Sequence, residues 1–212
     1  EACGFIRSKA GVKWPDIQYH FLPGAITYDG TVAFAGHGFQ VHVGHNKPTS
    51  RGSITATSSD IRVHPKIQFN YLSTESDRAG FRASVRLTRE IMQQKSMKPF
   101  LGHAIQPSDN IQSDDEIDEF IKNSVESAYH PCGTCKIGKG NNAVVDENLK
   151  VHGINGLRVI DSSVFPSIPN GNLNAPTMML AERGADIIKN KLLNPDKKVN
   201  IYLNKNWQNS QK

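Results

Sequence analysis

Three cysteines among 212 residues are too few for a disulfide framework, so a reducing, cytoplasm-like compartment is the default. No apolar run approaches the roughly 18 residues that a membrane-spanning helix needs. No signal-peptide pattern stands at the start. No basic stripe is interleaved with aromatics, which argues against a nucleic-acid partner. An initiating Met is also missing: the sequence opens on Glu1-Ala2-Cys3-Gly4-Phe5, which predicts an excised or processed fragment. What is present is ordinary globular material, 37% hydrophobic and 21% charged. A chain of this size buries roughly 70% of its unfolded surface without staples. The net charge is +5, with a local excess at Lys189, Lys191, Lys197, Lys198, Lys205 and Lys212. That excess reads as a solvated basic surface, and peripheral contact with an anionic membrane is its sharper alternative.

Residues 17–28 mix aromatic and β-branched side chains and predict a strand. In 38–45, Phe39, Val41 and Val43 alternate with Gln40, His42 and Gly44, which predicts another. Ser50-Arg51-Gly52 punctuates a turn, and 53–57 reads as the returning strand. Between Glu75 and Gln94 the period becomes helical, with Phe81, Val85, Thr88 and Met92 on one stripe. Ser113-Asp114-Asp115-Glu116 is a capping box opening a second helix that carries Ile117, Phe120, Ile121 and Val125. These helices are expected to cover the sheet. Beyond Lys136 the chain becomes loop-rich, with short strands at 144–145 and 157–160. A turn of Asn, Gly and Pro leads into a helix over about 177–192, whose stripe reads Met179, Ala185 and Ile188. The stretch from Asn194 onward reads as a polar tail.

Two groups invite a metal or redox reading. Cys132-Gly133-Thr134-Cys135 lacks the second pair of ligands that a zinc site needs. It also lacks the strand-to-helix setting of a thioredoxin-like pair, since Pro131 precedes it and a Gly-rich loop follows. Two packed thiols are the favoured reading. His37, His42 and His45 suggest a cluster, but His42 and His45 differ by three and face opposite sides of a regular strand. No metal site is expected.

His130 precedes Pro131, which drives its backbone extended, and it follows the predicted helix. Alone, it reads as a structural histidine. Gly171-Asn172-Leu173-Asn174-Ala175-Pro176-Thr177 changes that weighing. It places two amides before a helix whose N-terminus offers open N–H groups and partial positive charge. Such an end suits a reduced flavin, which is negative at its N1–C2=O edge. The plainer reading of Asn172 and Asn174 is turn and N-cap.

These stretches resemble a known family. Ala128-Tyr129-His130-Pro131-Cys132-Gly133-Thr134-Cys135, Val151-His152-Gly153, Leu157-Arg158-Val159-Ile160-Asp161-Ser162-Ser163, Gly171 to Thr177, and Glu182-Arg183-Gly184-Ala185 follow one another as in the C-terminal half of glucose-methanol-choline (GMC) flavin oxidoreductases. Glu1 to Ser8, Trp14 to Pro23 and Ser50-Arg51-Gly52 resemble the choline dehydrogenase branch. The resemblance covers about residues 1–190. The family's GxGxxG fingerprint is absent; Gly36-His37-Gly38 lacks the third glycine.

The resemblance implies an α+β fold, a mostly antiparallel sheet flanked by helices. It assigns 1–138 to a substrate-binding domain and 139–193 to a segment returning to a FAD-binding domain, with 194–212 as the polar tail. FAD is the implied cofactor, and choline or a similar small primary alcohol the implied substrate. His130 matches the family's active-site histidine and Asn172 its second active-site position. Asn174, Ala175 and Pro176 would lie along the flavin ring, with Asp161 and Ser162 near its ribityl-phosphate part. Glu1 matches a glutamate implicated in cation binding, and Trp14, Tyr19, Phe21 and Tyr28 are candidate aromatics for a quaternary ammonium. A respiratory quinone is the implied electron acceptor, reached by peripheral contact at the cytoplasmic face of the cell membrane. The chain by itself is expected to be inactive. The competing class is a non-enzymatic binding module with the basic tail as a docking segment.

Overall fold

In the computed structural model, residues 2–26, 36–191 and 201–211 are described. They form an α+β fold in two compact units. Unit 1 comprises Glu1–Ser50, Leu72–Glu126 and Leu203–Lys212; unit 2 comprises Arg51–Tyr71 and Ser127–Tyr202. That division is one of compactness. The expected division near residue 138 is one of role.

The sheet of unit 1 is antiparallel in the order β1 (Ala2–Ile6), β2 (Ile17–Leu22) and β3 (Gln40–His45). Strands lie within 17–28, where the aromatic and β-branched mix predicts one, and within 38–45, where the alternation does; β1 is an addition, and β2 stops at Leu22. Register sets Ile17 opposite His45 and His20 opposite His42, so His42 and His45 face opposite sides. Residues Ile17 and Tyr19 are buried on one face. On that face the Thr88 hydroxyl of α1 (Glu75–Met92) lies 3.2 Å from the Tyr19 hydroxyl. Helix α1 packs on β3, and α2 (Asp114–Ser124) packs on α1. Val85, Ile117 and Ile121 form the buried centre there, with Phe81 and Phe120 against them.

The capping box forms as its sequence demands. Ser113 accepts from the Glu116 N–H, and Glu116 accepts from the Ser113 N–H at 2.9 Å. Arg82 to Asp118 (2.6 Å) and Arg86 to Asp114 (2.5 Å) tie the two helices. The Arg82–Asp118 pair is partly buried, whereas the exposed Arg86–Asp114 pair is worth about 0–1 kcal/mol.

The segment 53–57 was expected to return along 38–45. Instead β4 (Ser53–Thr55) pairs with β5 (Lys66–Gln68) as a separate hairpin. The reason lies just upstream. Asp77, 2% exposed on the first turn of α1, accepts the N–H groups of Thr49 (2.7 Å) and Ser50 (2.9 Å) and the Thr49 hydroxyl (2.9 Å). This clamp holds the chain on α1 and takes it off the edge of β3. Residues 203–211 lie against residues 7–11 of the same unit: Gln211 Nε2 donates to Arg7 O (2.7 Å), and Gly11 N–H donates to Trp207 O (2.8 Å).

In unit 2, isolated bridges join Ile137 to Val145, Val145 to Val151 and Lys150 to Arg158. Val145, Leu149 and Val164 form its core, with Ile160, Leu180 and Ile187 against them. Helix α3 (Asn174–Lys189) starts three residues earlier than the periodicity predicts. Its inward stripe is Leu180, Gly184 and Ile187, while Met179 and Ile188 are exposed. Gly184 decides this rotation. A Cβ there would sit 2.5 Å from Ile160 Cγ2, so the helix lies close over Ile160 along its smallest residue.

Candidate active site

The His130 segment is built by its neighbours. Tyr129 adopts a left-handed backbone (φ 59°) and its N–H donates to the Ser127 hydroxyl at 3.0 Å. A non-glycine residue in that region is uncommon and marks an imposed turn. Pro131 then holds His130 extended. Beyond it the chain runs beside 163–164: Cys135 N–H donates to Ser163 O (2.9 Å) and Ile137 N–H to Val164 O (2.8 Å). Gly133 (φ 91°) permits that approach, since a Cβ would meet Phe165 O at 3.2 Å.

Opposite stands the turn before α3. Asn172 Nδ2 lies 2.9 Å from His130 Nε2. An amide N–H can only donate, so this contact turns the Nε2 lone pair toward Asn172 and leaves the imidazole proton on Nδ1. Asn172 is exposed and His130 half-buried. Donor and acceptor here satisfy each other, and a small polar molecule with one hydroxyl can engage both by replacing this bond.

Asn174, Ala175 and Pro176 form the first turn of α3. Asn174 was expected before the helix; it lies inside it, and the capping position falls to Leu173, which offers no side-chain hydrogen bond. Among the described residues, α3 therefore begins without the side-chain cap that would occupy its first N–H groups. Asp161 caps the 3₁₀ turn Ser162–Val164, accepting the Ser163 N–H at 2.8 Å. It is thus placed on the turn against which 135–137 is paired. Glu1 and Tyr28 lie outside the described residues.

The cysteine pair holds free thiols, both half-buried. Burial pushes the Cys132 thiol up, with Arg51 opposing in part. A raised thiol is a poor thiolate nucleophile, which favours packed thiols over thiol redox chemistry. Tyr129 escaped the sequence reading; nothing in a tyrosine signals a left-handed turn.

A family model described as GMC oxidoreductase matches residues 48–181. The chain belongs to the GMC oxidoreductase family. Among curated GMC relatives, it is 56% identical over 214 residues to the oxygen-dependent choline dehydrogenase of Vibrio vulnificus and 54% over 215 residues to that of Photobacterium profundum. Each alignment covers 100% of this chain and 38% of the relative, so the chain spans well under half of their length. Among solved structures, pyridoxine 4-oxidase from Mesorbium loti superposes with a TM-score of 0.81 at 29% identity, over 89% of this chain and 37% of that one. A formate oxidase of Aspergillus oryzae RIB40, studied for FAD modification, gives 0.76 at 29% identity over 84% and 32%.

Proposed function

We propose that this chain is the C-terminal part of a FAD-dependent alcohol dehydrogenase that oxidises choline to betaine aldehyde, towards glycine betaine. The observation that carries the reading is the His130–Asn172 pair, 2.9 Å apart, in a chain 56% identical to an oxygen-dependent choline dehydrogenase.

The uncapped first turn of α3 fits a flavin, because open N–H groups and the helix dipole favour negative charge. Asn174, Ala175 and Pro176 would hold the ring, and Asp161 with Ser162 the ribityl-phosphate part. FAD when bound supplies the hydride acceptor. An alcohol oxygen entering between the pair takes the Asn172 N–H and gives its proton to His130 Nε2. Asn172 thereby fixes the oxygen, and His130 removes the charge that would otherwise stay on it. Glu1 is our candidate for the choline cation.

The test is an anaerobic titration of the complete flavoprotein with choline, followed by the oxidised-flavin absorbance. Bleaching by choline, and not by other simple primary alcohols, is expected. Bleaching only by another alcohol would remove choline and keep the site. For the acceptor we take a respiratory quinone, met by peripheral contact at the cytoplasmic face of the cell membrane. No helix among the described residues is long and apolar enough to cross a membrane. The competing acceptor is dioxygen, which the relatives' names carry. Choline-dependent oxygen uptake that a quinone analogue does not suppress would overturn the quinone.

A further inference from the structure

We propose that Gln40 and His42 of β3 form an acid-sensitive latch at the end of the β2–β3 pair: neutral His42 lets Gln40 hold Ile26, and protonated His42 does not. The latch involves neither His130 nor Asn172 and is independent of the functional reading above.

Gln18 and His20 of β2 share with Gln40 and His42 the sheet face opposite to Ile17 and Tyr19. The Gln40 side chain makes two bonds there. Its Oε1 accepts the Ile26 N–H at 2.8 Å, and its Nε2 lies 2.6 Å from His42 Nε2. A backbone N–H can only donate, so the Gln40 atom that meets Ile26 must be the amide oxygen. The Gln40 NH₂ group is then the one that faces the imidazole. It donates, His42 Nε2 accepts, and the ring is neutral with its proton on Nδ1.

An imidazolium carries a proton on both nitrogens. Its Nε2–H would meet the Gln40 NH₂ donor to donor. Turning the amide over would give His42 an oxygen but would set the NH₂ against the Ile26 N–H. One glutamine can serve the imidazolium or Ile26, never both.

The surroundings favour the neutral ring. Burial leads the causes that lower the His42 pKa, and His20, directly opposite on β2, adds like-charge repulsion. Glu126 is the acidic group that acts on His42, and it opposes both. Cys3 of β1 completes the row as a free thiol beside His20. Helix α1 packs on the Tyr19 face, so its arginines lie on the other side of the sheet. A histidine with a depressed pKa takes its proton less readily in the fold than in the unfolded chain. The latch is therefore closed at neutral pH. It opens as pH falls below the ordinary histidine value of 6.5, and the fold loses stability over the same fall.

The test is hydrogen–deuterium exchange of the complete protein between about pH 7.5 and about pH 5, the range that brackets histidine titration. It is read at the Ile26 amide and corrected for the intrinsic pH dependence of exchange. Protection of Ile26 is expected to fall about tenfold on acidification, the scale of one hydrogen bond lost. Gln40→Glu is expected to keep that protection, because a carboxylate accepts from Ile26 and from the imidazolium at once. His42→Gln cannot gain a charge and is expected to remove the pH dependence. Protection that stays constant with pH in the native protein, or that falls equally in His42→Gln, overturns the latch. An equal fall in Gln40→Glu overturns it as well, so the question is decided even where His42→Gln fails to fold.

Discussion

His130 and Asn172 lie 42 positions apart in sequence and meet at 2.9 Å, each oriented by its own turn. His130→Ala in the complete enzyme should lower choline turnover by ~10²-fold or more, the scale of a lost general base; unchanged turnover would favour the binding-module reading. Cys132→Ser should change turnover only modestly, because burial keeps that thiol protonated. Asp77 makes a separate prediction. Burial alone would raise its pKa, but hydrogen bonding from Ser50 and Thr49 outweighs burial and holds it at about 2. The unfolded value is about 3.9. A depressed carboxyl stabilises the fold above the unfolded pKa, and that contribution fades as pH falls from about 4 toward 2. It amounts to about 2 kcal/mol at neutral pH. Asp77→Asn should therefore lower stability at pH 7 by about that much and flatten the acid limb of the denaturation curve.

Among the elements, α1 and α2 follow their sequence closely because each carries its own start signal and one clear apolar stripe. Ser113→Ala removes the capping box and should cost about 0.5–2 kcal/mol, read as a drop in melting temperature. Helix α3 behaves differently. Its stripe turns on Gly184, a residue that periodicity treats as neutral. Gly184→Ala gains up to about 1 kcal/mol of helix propensity but drives a methyl into Ile160. The net effect should be destabilising by about 1–2 kcal/mol; a raised melting temperature would show that Ile160 can move aside.

For the molecule as a whole, the chain covers 38% of the length of a relative named oxygen-dependent choline dehydrogenase. Expressed alone, it should oxidise no choline, since no dinucleotide fingerprint lies in its 212 residues. Choline turnover by the isolated chain would remove the need for the flavin-carrying part. The two units also interleave in sequence, with 51–71 clustering beside 127–202. Chain order does not display that grouping, because contacts between distant segments leave no local periodicity.

The sequence by itself determined the local matters: two helix starts, the strand composition of β2 and the alternation of β3, the opposite facing of His42 and His45, and the motif order that marks the GMC family. The first three depend on residues within a turn or two of one another, where propensity and spacing act directly, and the motif order is read from short runs each legible in the sequence. Tertiary structure decided the rest. It set the partner of the 53–55 strand through the Asp77 clamp, the rotation of α3 through the contact of Gly184 with Ile160, and the meeting of His130 with Asn172 through the pairing of 135–137 with 163–164. Those outcomes depend on which distant surfaces pack, and packing is settled by shape and hydrogen-bond satisfaction across the fold.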